Sequence, residues 1–348
     1  MPFLKNFGKS PSGKTLERIQ KSKNFREGKF QNLSLTPQLT EGTTIPKVLY
    51  SFLFEKNPHT KPSTSIPSVK TSLLNLSADQ DILVWFGHSS YFIQLDGKTF
   101  LIDPVFSGNA SPLKGTNKAF DGADRYSVAD LPTIDYLMIT HDHYDHLDHE
   151  TIIQLKSKVT TVVCSLGVGS HLEYWGYAAD RIIEMDWYEK AVLENGFLIH
   201  ATPARHFSGR GFTRNKTLWV SYVLQTPTMK IFIGGDSGYD SHFSKIGNEY
   251  GPFDLAILEN GQYDARWKYI HSTPEEVLLA TRDLKAKRLL PVHSGKFAMA
   301  NHPWDEPLTK LTALNKESAI SIITPMIGEA VHLKDDSQRL KEWWKELK

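Results

Sequence analysis

The sequence predicts an α/β protein in which two β-sheets pack together with helices on the outside. Short apolar runs, each typical of a buried strand, recur along most of the chain. In the first part of the core these runs follow one another closely, as in an antiparallel cluster, whereas later they alternate with helical segments. Two such halves in one chain favour two packed sheets with helices on their outer faces.

Composition separates an N-terminal extension from the core. The 348 residues are 40% hydrophobic and 23% charged, which is ordinary for a globular protein. Residues 1–79 are rich in Lys, Ser, Thr and Pro, and we interpret them as an extension packed on or beside a core of residues 80–348. Within the extension, residues 15–25 predict one short helix. The apolar run VLYSFLF at 48–54 must cover another surface or face a partner.

The core is predicted to begin with three closely spaced strands, the second and third joined by a hairpin turn at Asp96-Gly97. Helices are predicted from Glu150 and from Thr273. Several strands end in His or Asp, and polar groups at strand ends converge at one edge of a sheet, where binding sites commonly form. The predicted strands cover 82–86, 90–95, 99–103, 135–140, 159–164, 197–203, 218–225, 230–236, 254–260 and 288–293.

Charge and cysteine content exclude several classes of function. The net charge is +1, so no overall field directs the protein to nucleic acid. The single cysteine, Cys164, excludes an intramolecular disulfide and a multi-cysteine zinc site. No apolar run is long enough to cross a membrane, and the N-terminus lacks the apolar stretch of a signal peptide, so we expect a cytoplasmic protein. Eight basic residues against two Glu in residues 1–30 leave peripheral contact with an anionic membrane open. The oligomeric state does not follow from the sequence.

The segment HDHYDH at 141–146 is the strongest functional signal. His141 and His143 are separated by one residue, so on an extended segment their side chains point the same way. Asp145 and His146 follow as the chain turns toward a helix, for which Asp148 is the expected N-cap. Two pairs of ligands offset along a turn suit two metal ions rather than one. Imidazole and carboxylate ligands favour Zn²⁺, with Fe or Mn as alternatives.

Three later strand ends supply further ligands of the same chemical types. His206 lies in TPARHFSGRG, Asp236 in GGDSGY and His293 in LLPVHSG. A lone histidine is usually a packed or surface residue, but three strand ends that provide what the first motif lacks argue for a shared site. A carboxylate at Asp236 could bridge both ions.

These motifs resemble those of the metallo-β-lactamase fold. Within that superfamily the chain is similar to N-acyl-phosphatidylethanolamine phospholipase D and its bacterial relatives, over residues 80–310. Supporting matches include WFGHSSYFIQLDGKTFLIDPVFS and KYIHSTPEEV. The resemblance implies an αββα sandwich and makes residues 80–348 a metallo-β-lactamase-like catalytic domain.

The resemblance also implies roles for individual residues. His141, His143 and His206 would hold one zinc ion, whereas Asp145, His146 and His293 would hold the other, with Asp236 bridging. Asp103 matches an aspartate that orients a ligand histidine. His271 matches a histidine beside the reacting phosphate, and His88 is a motif position without an assigned role. Glu259 replaces an apolar segment of the mammalian phospholipase, and we expect it and residues 166–196 to reshape the substrate pocket.

The implied function is a binuclear-zinc phosphodiesterase acting on a lipid or small-molecule phosphodiester. A water between two such ions is deprotonated near neutral pH and attacks phosphorus; Asp145 would orient it and His271 would assist the phosphate or the leaving oxygen. The alternatives are a zinc hydrolase of a lactone or nucleic-acid phosphodiester, an iron-dependent oxidoreductase of this fold, and a non-catalytic binding protein. Long basic arms for nucleic acid are missing. Diiron members with a flavin partner use a carboxylate at the position of His143, and the complete ligand set argues against a non-catalytic protein.

Overall fold

Two seven-stranded mixed β-sheets form the centre of the fold in the computed structural model, which describes residues 5–211, 213–317 and 320–347. The first sheet contains β3 (Ile82–Trp85), β4 (Tyr91–Leu95), β5 (Lys98–Ile102), β6 (Ile134–Ile139), β7 (Val159–Ser165), β8 (Ile182–Met185) and β16 (Ala330–His332). Its strand order is β16-β3-β4-β5-β6-β7-β8, and the pairing changes from antiparallel to parallel at β5–β6.

The second sheet repeats this arrangement. It contains β9 (Lys190–Val192), β10 (Leu198–Pro203), β11 (Val220–Gln225), β12 (Lys230–Ile233), β13 (Leu255–Glu259), β14 (Arg288–Val292) and β15 (Ser321–Ile322). The order is β15-β14-β13-β12-β11-β10-β9, with parallel pairing from β12 to β15 and antiparallel pairing from β9 to β12. In the first sheet, β4 pairs antiparallel with both β3 and β5, which confirms the antiparallel cluster predicted at the start of the core.

Each sheet is buried on both faces, which explains the continuous apolar runs. In β3, Leu83 and Trp85 join the cluster between the sheets, whereas Ile82 and Val84 join the cluster beneath the outer helices. Helices α3 (His149–Leu155) and α4 (Gly169–Tyr174) cover the first sheet, and α5 (His242–Glu249), α6 (Pro274–Asp283) and α7 (Glu306–Asn315) cover the second. The αββα sandwich is thus confirmed.

Local sequence signals determine several turns and caps. Asp96 and Gly97 both have positive φ, 49° and 77°, as a two-residue type I′ hairpin turn requires. Asp148 caps α3 by accepting a hydrogen bond from the Glu150 amide. Thr273 caps α6 in a reciprocal capping box with Glu276. The predicted helix starts at Glu150 and Thr273 are correct to within one residue.

The described part of the N-terminal extension lies along the core. It contains α1 (Gly13–Lys21), the hairpin strands β1 (Phe25–Arg26) and β2 (Lys29–Phe30), and α2 (Ile45–Phe54). Ile19 and Phe30 are fully buried in the cluster between the sheets. The run VLYSFLF falls in α2, where most of its large apolar side chains remain exposed. Within the described residues, no helix is both long enough and apolar enough to cross a membrane.

Candidate metal centre

The ligand residues predicted from the sequence meet at one edge of the sandwich. Segment 141–147, called here the metal loop, follows β6. The loops that follow β10, β12 and β14 carry His206, Asp236 and His293. The glycines Gly234 and Gly235 let the Asp236 loop pass close to neighbouring backbone, since a Cβ at Gly234 would lie 2.9 Å from the Ile257 carbonyl oxygen. All seven predicted ligands are therefore brought together.

Three histidine nitrogens form one candidate site. His143 Nδ1 lies 2.9 Å from His141 Nε2 and 3.2 Å from His206 Nε2. Asp236 Oδ2 lies 3.9 Å from His141 Nε2 and 3.7 Å from His206 Nε2. Ligand atoms placed about 2.0–2.2 Å from a tetrahedral zinc ion lie roughly 3.3–3.6 Å apart. The four measured distances lie on either side of this range, within 0.4 Å of it, so the four atoms are grouped closely enough to surround one metal ion.

A second set of ligands shares Asp236 with the first. His146 Nε2 lies 3.3 Å from Asp145 Oδ2 and 3.2 Å from Asp236 Oδ2. His293 Nδ1 lies 3.2 Å from the other oxygen, Asp236 Oδ1. Because Asp236 reaches both sets, its carboxylate is placed to bridge two cations.

Unpaired buried atoms at this point indicate that a cation is accommodated. His146 Nε2, His293 Nε2 and Asp236 Oδ1 are buried and make no hydrogen bond within the described residues. Each buried polar atom left unsatisfied costs about 1–3 kcal/mol, so three in one place are unfavourable unless another group compensates them. His293 Nδ1 already lies 2.8 Å from Ser89 Oγ, so Nε2 is the nitrogen that His293 has left for a cation, and coordination through this nitrogen, His146 Nε2 and Asp236 Oδ1 would satisfy all three atoms.

Hydrogen bonds behind the ligands fix their ring orientations. His146 Nδ1 lies 2.8 Å from Asp103 Oδ2, and the Asp103 carboxylate is itself held by the amide and hydroxyl of Thr140. His206 Nδ1 lies 2.9 Å from the Ile270 carbonyl oxygen. Such partners select the nitrogen that faces a metal and strengthen ligand basicity. The sequence assigned this role to Asp103, and the structure shows the hydrogen bond that it requires.

His88 is a site residue whose role the sequence did not give. Its ring is completely buried, and Nε2 lies 2.9 Å from Asp145 Oδ2. His88 therefore orients the carboxylate of Asp145, which is predicted both to bind a metal ion and to position the attacking water. His149, the first residue of α3, is half-buried, and its ring centroid lies 5.0 Å from that of Trp175.

The electrostatic environment favours the protonation states that bind metal. Burial alone would raise the pKa of Asp145, but His146 and His88 outweigh it and hold that pKa well below its usual range. Burial lowers the pKa of His141 and of His206 well below the usual value. These carboxylate and neutral imidazole forms are the ones that coordinate cations. His146 differs, because the three carboxylates around it outweigh burial and raise its pKa, so a cation there must displace a proton.

His271 lies beside the two ligand sets and is held by Glu259. Its ring centroid is 5.1 Å from that of His206, and its Nδ1 is 2.5 Å from Glu259 Oε2. Burial lowers the pKa of His271, but Glu259 outweighs burial and raises it to about 9. Burial raises the pKa of Glu259 to about 7, against the opposing effect of His271. Glu259, expected to reshape the substrate pocket, does not line the cavity; its side chain lies behind His271, which does, so any effect of Glu259 on the pocket acts through that ring.

A cavity of about 650 Å³ opens above the ligands. Its floor includes His143, Asp145 and His271, whereas much of its wall is apolar. The core contributes Ala110, Pro112, Phe207, Trp267, Ile270 and Met299, and the N-terminal extension contributes Phe7, Leu39, Ile45, Val48 and Leu49. Among the cavity residues of the N-terminal extension, only those in the apolar run of α2 had a signal in the sequence, and this signal did not show that α2 borders the site.

Comparisons with known proteins agree with this architecture. A family described as "Beta-lactamase superfamily domain" matches residues 98–294. An uncharacterised protein of Mycobacterium tuberculosis is 36% identical over 330 residues, covering 94% of this chain and 88% of that protein. The N-acyl-phosphatidylethanolamine-hydrolyzing phospholipase D 1 of Caenorhabditis elegans is 32% identical, covering 66% of this chain and 68% of the relative.

Solved structures share the fold. Igni18, a metallo hydrolase from Ignicoccus hospitalis, superposes with a TM-score of 0.54 at 23% identity, covering 72% of this chain and 97% of that one. CmlA, a diiron β-hydroxylase from Streptomyces venezuelae, has a TM-score of 0.56 at 19% identity, covering 74% of this chain and 55% of that one. At these identities the likeness concerns the fold alone.

Proposed function

The chain belongs to the β-lactamase superfamily and is a metal-dependent hydrolase of that group, and on this premise we propose that it is a binuclear-zinc phosphodiesterase. Its proposed substrate is a phosphodiester that carries an acyl chain. The observation that carries the proposal is the pair of ligand sets sharing Asp236 at the floor of a largely apolar cavity.

Seven ligands are more than one tetrahedral ion with an open position can use. His141, His143 and His206 would hold one ion; Asp145, His146 and His293 would hold the other; and Asp236 would contact both. When bound, the ions would lower the pKa of a water toward neutrality and stabilise negative charge that develops on the substrate.

Residues of the chain would perform the other tasks. Asp145, oriented by His88, lies on the cavity floor where it would position the attacking water. His271 has Nδ1 engaged by Glu259, so Nε2 is the nitrogen left for a substrate oxygen. A histidine held in this way would contact the phosphate or protonate the leaving oxygen. Arg214 also lines the cavity and adds a cation for an anionic diester.

The size and lining of the cavity support a substrate with an apolar part. Ile45, Val48 and Leu49 of α2 border it, and the neighbouring Leu53 and Phe54 are 73% and 72% exposed. Exposed apolar side chains of this kind commonly mark contact with a partner or a membrane. Relatives from C. elegans and Saccharomyces cerevisiae carry the name N-acyl-phosphatidylethanolamine-hydrolyzing phospholipase D. We therefore include peripheral contact with a lipid surface in the proposal.

The deciding experiment compares three substrate classes with one zinc-loaded preparation. We expect hydrolysis of bis(p-nitrophenyl) phosphate and of an N-acylated phospholipid in vesicles, and little hydrolysis of a lactone. A lactone as the best substrate would replace the phosphodiesterase by the lactonase alternative. Equal rates on soluble and lipid diesters, unaffected by vesicles, would remove the lipid part of the proposal and leave the phosphodiesterase.

A further inference from the structure

Arg210 is a buried arginine that joins two of the loops at the metal centre. Its side chain is 4% exposed. Nη1 donates to the carbonyl oxygens of Asp142 and Leu147 at 2.8 and 2.6 Å. Nε and Nη2 donate to the carbonyl oxygen of Asn6 at 3.1 and 2.7 Å. One guanidinium therefore bonds to both ends of the metal loop and to the N-terminal extension.

The two carbonyls on the metal loop enclose ligands of both candidate sites. His143, Asp145 and His146 all lie between Asp142 and Leu147. Arg210 itself follows His206 by four residues, so the same side chain connects the His206 loop to the metal loop. Movement of either loop would change the distances among ligand atoms that belong to both sites.

Aromatic rings and hydrogen bonds restrict the guanidinium further. Its central carbon lies 4.1 Å from the ring centroid of Tyr144 and 5.2 Å from that of Trp175. The Tyr144 hydroxyl donates to the Arg210 carbonyl oxygen at 2.5 Å. A planar group with several fixed donors that stacks on rings is what arginine supplies and lysine does not.

A second connection runs parallel to the first. The Asp142 carboxylate accepts hydrogen bonds from the Gly209 amide at 2.7 Å and from the Thr217 hydroxyl at 2.8 Å. Its oxygen Oδ2 also lies 3.3 Å from His171 Nε2, and the Lys9 amide donates to His171 Nδ1 at 3.0 Å. The N-terminal extension is thus bonded to the metal loop through both Arg210 and His171.

From this geometry we propose that Arg210 is a positioning residue for the metal centre, with the Asn6 carbonyl as its outer acceptor. Its guanidinium sets the conformation of the metal loop and thereby the zinc affinity of both sites. The inference rests on the metal-centre part of the proposed function and is independent of the substrate.

Arg210→Lys tests the inference, with zinc affinity as the readout. Competition of the purified full-length protein with a chromophoric chelator gives the affinity at each step of zinc binding. We expect both steps to weaken tenfold or more, the range typical of changes to groups that orient metal ligands. Arg288→Lys is the matched control. Arg288, the first residue of β14, is also a buried arginine, and its side chain donates to the Leu333 carbonyl oxygen. Zinc affinity in this control should be unchanged at a similar loss of thermal stability.

Zinc affinity equal to that of the wild type in folded Arg210→Lys would overturn the inference, as would a protein that cannot fold, because Arg210 would then serve stability alone. A second measurement uses Arg210→Gly with guanidinium ion at millimolar concentration. Recovery of zinc affinity on addition of guanidinium, but not of ammonium, supports positioning by a planar donor group; equal effects of the two ions contradict it. The two proposals can fail separately. If zinc affinity weakens in the variant but the wild type does not hydrolyse the diester, this inference stands and the proposed substrate is removed.

Discussion

Glu259 Oε2 lies 2.5 Å from His271 Nδ1, and Glu259 Oε1 accepts hydrogen bonds from the amides of Ser237 and Ser272, both at 3.0 Å. One buried carboxylate therefore connects the Asp236 loop to the histidine that borders the cavity. The contact fixes the His271 ring and places a compensating negative charge behind it.

Glu259→Gln should impair reactions that require a proton for the leaving group. Without the carboxylate, the pKa of His271 falls, because Glu259 raises it more than Asp236 and Asp145 do. We expect hydrolysis of a diester with an alkyl leaving group to fall on the order of a hundredfold, as for loss of a general acid. Hydrolysis with p-nitrophenolate as leaving group should change little, since that group departs without protonation.

The measurement is kcat/KM across a series of leaving groups, with its pH profile. The alkaline decline in activity on the alkyl diester should move to lower pH in the variant. An equal decrease for all leaving groups would show that Glu259 has only a structural role.

Asp145→Asn should nearly abolish turnover while leaving the fold intact. The substitution keeps the side-chain volume but removes the negative charge of a proposed metal ligand that His88 orients. We expect kcat to fall by roughly a hundredfold or more, because the change affects both a metal site and the attacking water. The exposed Asp180 provides a control for removal of one carboxylate. Turnover near the wild-type value with full metal occupancy would refute the assigned role.

The residues of the candidate metal centre could be predicted from the sequence because each lies within three residues of the end of an apolar strand or in one short motif. His141 to His146 are close in sequence, and the strand ends bring the others to the same edge. Glu259 was different, since its role depends on Ser237 and on the adjacent residues His271 and Ser272, which come from two segments distant from each other in the sequence. The short edge strands β15 and β16 have two and three residues, too few for a periodic pattern. The placement of α2 beside the cavity likewise depends on tertiary contacts such as the stacking of Phe52 on Trp267.

Metal analysis should give two ions per chain, with zinc predominant. Removing them with a chelator should lower the melting temperature, because ligands that bind only the folded state stabilise it by about 2.7 kcal/mol at 100 times Kd. Elemental analysis and thermal unfolding before and after zinc addition provide the measurements. One tightly held ion with a second site that cannot be filled would contradict the binuclear centre. Iron in place of zinc would favour the oxidoreductase alternative.

Replacement of two exposed apolar residues on α2 should separate lipid from soluble substrates. Leu53 and Phe54 are largely exposed and do not line the cavity, whereas their neighbour Leu49 does. If α2 inserts into a lipid surface, the double variant Leu53→Ser with Phe54→Ser loses buried apolar area and therefore binds vesicles more weakly. We expect hydrolysis of vesicle-bound diester to fall about tenfold, since each 1.4 kcal/mol of lost binding energy is a factor of ten. The rate on bis(p-nitrophenyl) phosphate should stay at the wild-type value.

Val192→Ser, at a residue of β9 that is 70% exposed, controls for loss of surface apolarity elsewhere. Vesicle sedimentation and the two hydrolysis rates decide the matter: unchanged sedimentation together with an unchanged lipid rate would mean that α2 serves only as a wall of the cavity.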